Sequence, residues 1–140
     1  MSMMQIAELQ TELDSIRKKL IEGPRPNGLF LMPDSPTHSG APHVEIIGEE
    51  YHFVVTERGS EFDRRITKEP DELLYWFVSG DVSQLARDWE LERRVEGQDS
   101  RRLWFGKEVE MLRTISSEWA KRKELYQNRV LKDHPFNDNI

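Results

Sequence analysis

The N-terminal segment carries apolar side chains at helical spacing. They recur every three or four positions, at Ile6, Leu9, Leu13, Ile16 and Leu20. This pattern predicts an amphipathic helix within residues 1–22, with Gly23 and Pro24 ending it. Residues 23–42 hold five prolines and three glycines, which predicts a loop because proline cannot donate to a strand ladder.

Three segments rich in β-branched and aromatic residues follow, at 43–47, 51–58 and 62–67. Turn residues separate them, so they predict an antiparallel meander over 43–67, with 29–32 as an optional fourth strand at the edge. If both turns have two residues, one face carries most of the apolar side chains. That predicted core face is formed by Val44, Ile46, Tyr51, Phe53, Val55, Phe62 and Ile66.

After Thr67 the apolar period changes from two to about 3.6. Pro70 and Asp71 are typical of a helix start, and the pattern predicts three further helices within residues 70–134. The predicted fold is therefore α+β: a three- to four-stranded antiparallel β-meander packed on one face by a cluster of about four α-helices. A chain of 140 residues fits a single domain over 1–140.

Charge and composition narrow the functional classes. The formal net charge is −6, from 20 basic and 26 acidic residues, which argues against nucleic acid as a partner. The absence of cysteine excludes disulfides, thiolate nucleophiles and Cys-ligated zinc. The N-terminus carries Glu8 and Glu12 where a signal peptide needs an apolar core, and no apolar run reaches a membrane span. We therefore expect a cytoplasmic protein without a membrane partner.

Glu57 and Arg64 are the best candidates for local chemistry. Both are predicted on the core face of adjacent strands, where a carboxylate and a guanidinium would form a charge-assisted pair. We interpret them as a structural ion pair that anchors the hairpin, with anion or partner binding as the alternative. Phosphate-binding loops, nucleophile elbows and zinc-protease motifs are absent, so no catalytic, cofactor-binding or metal-binding residue is predicted.

The opposite face of the meander is the predicted partner-binding surface. It would present an apolar centre with a polar rim, although an ordinary solvated sheet face is the alternative. Its members are His43, Glu45, His52, Val54, Arg58, Asp63 and Arg65. Four of these (His43, Glu45, His52 and Asp63) also have metal-ligand side chains, but ligand types alone do not supply a binding geometry.

Several short motifs occur in a characteristic order. They are Tyr51-His-Phe-Val-Val-Thr-Glu-Arg-Gly59, Arg64-Arg65, Asp71-Glu-Leu-Leu-Tyr-Trp76, Arg101-Arg102 and His134-Pro-Phe136. Over about 42–139 the chain thereby resembles the immunity protein 63 family, predicted immunity proteins encoded beside bacterial polymorphic toxins. The resemblance implies a cytosolic bacterial protein that neutralises a cognate toxin domain by binding it stoichiometrically. It implies no catalytic residue or cofactor, and it leaves the toxin's identity open.

Two other functions compete with toxin binding. A small enzyme would use Glu57, Arg64 and a histidine gathered in a deep pocket. A protein–protein adaptor or assembly module would use the helix over about 3–21, in which case the protein would form a homo-oligomer that deletion of this helix abolishes.

Overall fold

The structure, a computed structural model, describes residues 3–20, 42–58 and 60–138. Its elements are, in chain order, α1 (Ile6–Leu20), β1 (His43–Ile47), β2 (Glu50–Glu57), β3 (Ser60–Thr67), α2 (Pro70–Leu91), α3 (Arg101–Arg113) and α4 (Ser117–Asp133). The predicted α+β class is confirmed. The predicted loop at 23–42, except Pro42, and the optional strand at 29–32 lie outside the described residues. No helix in the described part is long and apolar enough to cross a membrane.

The chain divides into two compact units, Met1–Phe77 and Val78–Ile140, with the boundary inside α2. The first unit contains α1, the sheet and the beginning of α2. The second contains the rest of α2 with α3 and α4. A single domain over 1–140 stays a prediction.

In the first unit, the three strands form an antiparallel sheet in the order β1-β2-β3. The Phe53 ring packs edge-to-face against Trp76 and Phe77, with ring centroids 5.8 and 5.0 Å apart. Each such aromatic pair contributes about 0.5–1.5 kcal/mol beyond its buried area. The Tyr51 hydroxyl donates a 2.8 Å hydrogen bond to the carbonyl of Met4, ahead of α1.

The apolar stripe of α1 is buried in its middle. Leu9 and Leu13 are fully buried, and Arg17 on the same face is buried as well. The assembly hypothesis needed this stripe to be available to a second protein. Leu9 and Leu13 are covered within the chain itself, and self-association through α1 stays a prediction.

A β-bulge between Val55 and Thr56 changes the register of β2 and β3. On the turn side of the bulge Thr56 pairs with Glu61, whereas on the other side Val55 pairs with Asp63. One extra residue reverses which face every following side chain of β3 occupies, because the side-chain period of a strand is two. The face assigned from the sequence to Arg64 and Ile66 is therefore wrong, and the assignment of Phe62 lies outside the described side chains.

In the second unit, α3 and α4 pack against each other. Ser116 begins α4 by accepting a 3.2 Å hydrogen bond from the backbone N–H of Trp119, which satisfies one of the free donors of the first turn. The buried apolar side chains of these helices are Phe105, Val109, Leu112, Trp119 and Ala120. Among the described residues of this unit, three cations lie over indole rings: Arg87 over Trp104 at 4.7 Å, and Arg93 and Lys107 each over Trp89 at 4.9 Å.

Candidate functional site

Strand pairing brings five polar side chains of the sheet together. Glu45 pairs with His52, and Val54 pairs with both His43 and Arg64. Paired residues of an antiparallel sheet share a face, so these side chains lie on one side of the sheet. Glu61, near the hairpin turn, reaches the same group.

Arg64 is the centre of this group, which we call the Arg64 network (His43, Glu45, His52, Glu61 and Arg64). Its Nη2 lies 2.7 Å from Glu61 Oε1, and its Nε lies 3.1 Å from both oxygens of that carboxylate. Nη1 and Nη2 each lie 3.3 Å from Glu45 Oε1. Nη1 also donates to Nδ1 of His52 at 2.8 Å. One guanidinium therefore connects side chains from all three strands.

The hydrogen bonds define the proton positions on both histidines. Arginine can only donate, so His52 Nδ1 accepts and the ring proton sits on Nε2. His43 Nε2 lies 2.7 Å from Glu45 Oε2 and donates to it. Within the described part of the chain, the other two ring nitrogens, His43 Nδ1 and His52 Nε2, are buried without a hydrogen-bond partner. Glu50 Oε1 lies 3.7 Å from His52 Nε2, beyond hydrogen-bond distance.

The carboxylates of the network are held in their charged form. The hydrogen bond from His43 and the charge of Arg64 lower the pKa of Glu45, although partial burial acts in the opposite direction. The hydrogen bonds from Arg64 lower the pKa of Glu61, and the same bonds raise the pKa of Arg64. At neutral pH the network therefore contains two carboxylates bonded to one guanidinium.

The predicted ion pair between Glu57 and Arg64 is wrong. Arg64 bonds Glu45, Glu61 and His52, whereas Glu57 is exposed and pairs through its backbone with Ser60. The β-bulge explains the error, because it moves Arg64 to the face of Glu45 and His52. The sequence pattern contains no signal for a bulge at Val55, so Glu61 was missed as the true partner.

The same bulge divides the predicted partner-binding surface. Asp63 and Arg65 lie opposite Val55 and Phe53, on the other face from His43, Glu45, His52 and Val54. Arg65 stacks over the rings of Phe53 and Trp76 at 5.6 and 5.9 Å and lies 3.2 Å from Asp63.

Burial further reduces that surface. His43 is fully buried, and His52 and Val54 are 7% and 1% exposed. The exposure that both interpretations of this face expected for His43, His52 and Val54 is therefore wrong. Partner contacts by Glu45 and Arg58, which retain accessible surface, stay a prediction.

The four side chains of metal-ligand type are not brought together either, because Asp63 faces away from His43, Glu45 and His52. Within residues 3–20, 42–58 and 60–138, no group of three His, Cys, Asp or Glu is arranged to hold a metal ion. An open depression of about 400 Å³ lies at the hairpin turn, lined by Glu57, Arg58, Ser60 and Glu61. Neither Arg64 nor a histidine lines it, so the residues of the enzyme hypothesis do not meet there.

A second polar cluster, in the other unit, holds the chain after α4. Asp99 accepts hydrogen bonds from Arg101 Nη2 at 2.8 Å and from the backbone N–H of Asn137 at 2.9 Å. Arg102 bonds Asp138 at 2.9 Å and lies 4.2 Å from the centre of the Phe136 ring.

This second cluster keeps Asp99 charged. The side-chain hydrogen bond from Arg101, followed by the backbone bond from Asn137, holds the pKa of Asp99 well below its ordinary value. The motifs Arg101-Arg102 and His134-Pro-Phe136 thus meet in the fold, since Arg101 Nη1 also donates to the carbonyl of His134 at 2.9 Å.

A third polar group, buried between α3 and α4, was missed by the sequence analysis. Lys123 Nζ lies 3.6 Å from Glu108 Oε2, and Gln127 donates to Glu108 Oε1 at 3.1 Å and to the carbonyl of Phe105 at 2.8 Å. Lys123 stands in the basic run Lys121-Arg122-Lys123, and such a run by itself indicates a solvated helix face. Its spacing of four residues from both Trp119 and Gln127 places Lys123 on the buried face of α4, which the structure identifies.

The comparisons with known proteins agree with the motif order. The family described as Immunity protein 63 matches residues 48–128, which is more than half of the 140 residues. The match includes β2, β3, α2, α3 and most of α4, and therefore Arg64 and Arg101. No curated protein and no solved structure shows significant similarity to the chain. The chain belongs to the immunity protein 63 family.

Proposed function

We propose that this protein binds a cognate bacterial toxin in the cytoplasm and neutralises it by stoichiometric occlusion. The observation that carries the proposal is the family match over residues 48–128. The partner is a protein, namely the toxin domain encoded beside the gene for this chain.

The polar clusters within the matched region support binding rather than turnover. The guanidiniums of Arg64 and Arg101 are bonded to the protein's own carboxylates and carbonyls. The carboxylate of Asp99 accepts bonds from Arg101 and Asn137. Groups engaged in this way position strands and helix ends, whereas a general base or anion-binding residue must be available to a substrate.

Titration of toxin activity tests the proposal. The toxin domain of the neighbouring gene is purified and assayed with increasing amounts of the full chain. Stoichiometric occlusion predicts that toxin activity falls linearly and reaches its minimum at one molar equivalent. The complex should elute as a single species in size-exclusion chromatography.

Two results would contradict the proposal. Complete inactivation by a small fraction of an equivalent, increasing with incubation time, would indicate an enzyme that modifies the toxin. Undiminished toxin activity at a tenfold molar excess, with the chain folded by circular dichroism, would exclude neutralisation of this toxin altogether.

A further inference from the structure

The outer face of α4 combines exposed apolar side chains with cations. Leu125 and Tyr126 are 56% and 53% exposed. With 3.6 residues per turn, Leu125 lies on the opposite side of the helix from the buried Lys123 and Gln127. The buried face of α4 therefore does not include Leu125, and this leucine takes no part in the core.

Cations surround Leu125 on this face. Lys121 and Arg129 lie four residues before and after it, which places them one turn away on the same side of the helix. Arg122 and Lys132 lie further along the same exposed face. We call this set the α4 outer face (Lys121, Arg122, Leu125, Tyr126, Arg129 and Lys132).

Three of these cations differ from the other basic residues of the second unit. Within the described part of the chain, Lys121, Arg129 and Lys132 make no hydrogen bond or ion pair. Elsewhere in the unit arginines are paired, as in Arg94–Glu90, Arg101–Asp99, Arg102–Asp138 and Arg113–Glu124. In a chain of net charge −6, unpaired cations gathered around an exposed leucine are complementary to an acidic surface.

We infer that the protein contacts its toxin through the α4 outer face, and that the toxin surface bound there is acidic around an apolar depression. This inference rests on the proposed function. Leu125 and Tyr126 supply the apolar centre and the cations supply the polar rim, which is the usual anatomy of a protein interface. Tyrosine and arginine are also the residue types that most often dominate binding energy.

A protein partner explains this face better than nucleic acid. A phosphate backbone is bound by cations with little need for an exposed leucine, whereas a protein partner also buries apolar side chains. The experiment nevertheless includes an oligonucleotide, because binding to it would overturn the inference.

The test compares variants of the full chain with the toxin domain of the neighbouring gene as the probe. The double variant Lys121→Glu/Arg129→Glu reverses two unpaired cations of the α4 outer face. The matched control, Lys18→Glu/Lys19→Glu, reverses two exposed lysines of α1. A third variant, Leu125→Ser/Tyr126→Ser, removes the apolar centre and keeps the charges. Circular dichroism melts of all three show whether each is folded.

The inference predicts that both α4 variants bind the toxin at least about tenfold more weakly than the wild type and the control. The charge reversal should slow association most at low salt, whereas the serine variant should mainly speed dissociation. Equal binding by all four folded proteins would overturn the inference and leave the proposed function intact. Tighter binding by the charge reversal would show a basic toxin surface and overturn it as well.

The remaining outcomes are also decisive. If the wild type neither binds nor inhibits the toxin, the proposed function fails and the inference fails with it. Binding of a 20-nucleotide single-stranded DNA by the wild type, lost in the charge reversal alone, would reassign the α4 outer face to nucleic acid.

Discussion

The guanidinium of Arg64 donates a 2.8 Å hydrogen bond to Nδ1 of His52 and so connects the middle strand of the sheet to two carboxylates. His52 is 7% exposed, whereas the side chain of Arg64 is 26% exposed. The arginine therefore covers a buried polar ring and joins it to the surface of the sheet.

Removing this arginine should destabilise the protein. Arg64→Ala leaves His52 Nδ1 without its donor and Glu45 and Glu61 without their cation, so we expect a loss of about 1–3 kcal/mol in the free energy of unfolding. Arg64→Lys keeps the charge without the forked donors, so its free energy of unfolding should lie between those of the wild type and Arg64→Ala. Urea denaturation measures all three, with Lys68→Ala as the control for removing an exposed cation beside the sheet. Superimposed curves for Arg64→Ala and Lys68→Ala would contradict this role.

At position 58, in the turn between β2 and β3, asparagine should make the protein more stable than the natural arginine does. Arg58 has φ +52°, a left-handed conformation that costs a side chain with a β-carbon more than it costs glycine or asparagine. Arg58→Asn should raise the free energy of unfolding by about 0.5–1 kcal/mol. Arg58→Val should lower it, because β-branched residues are the least compatible with positive φ. Thermal melts of the two variants give the comparison, and the opposite order would refute it.

The buried pair between α3 and α4 should show strong coupling between its two members. Lys123→Met leaves the carboxylate of Glu108 buried without its cation, which should cost about 3–5 kcal/mol. Adding Glu108→Leu removes the stranded charge, so the double variant should recover most of that loss. A double-mutant cycle in urea measures the coupling. Additive losses would show that the two charges act independently.

Acid should weaken the attachment of residues 135–138. The pKa of Asp99 is depressed in the folded chain, so its carboxylate contributes stability that is fully present above the unfolded pKa. This contribution declines as the pH falls below 3.8, the ordinary aspartate value. Asp99→Asn should therefore be less stable than the wild type at pH 7, and the difference should shrink towards pH 2.

Melts across this pH range measure the difference. Asp133→Asn is the control, since it removes one exposed carboxylate from the end of α4. A wild-type advantage over Asp99→Asn that persists unchanged at pH 2 would contradict the assignment of the charge.

The elements themselves were predictable from local patterns. The change in apolar period after Thr67 separated the meander from the helices, and Pro70 marked the first residue of α2. The stripe of α1 predicted the burial of Leu9 and Leu13. These features depend on side chains a few positions apart, so they can be predicted from the sequence without information about distant contacts.

The candidate site was predicted less well, for a specific reason. Its residues came from adjacent strands, and their grouping depended on the register between β2 and β3. Because of the bulge at Val55, Arg64 lies on the face of His52, where the sequence pattern had predicted Arg65. The partner of Arg64 is therefore Glu61 and not Glu57. A bulge is a feature of the pairing between two strands, and this sequence carries no local mark of one.

The sequence by itself determined the α+β class, the order of strands and helices and, through its ordered motifs, the family. Apolar periodicity and turn residues act over a few positions, which is why they can be read directly from the chain. Only the tertiary structure decided that His43 and His52 are buried, that Arg64 joins three strands and that Lys123 lies inside while Leu125 lies outside. Those outcomes depend on strand register and helix packing, where one residue of shift exchanges a buried face for an exposed one.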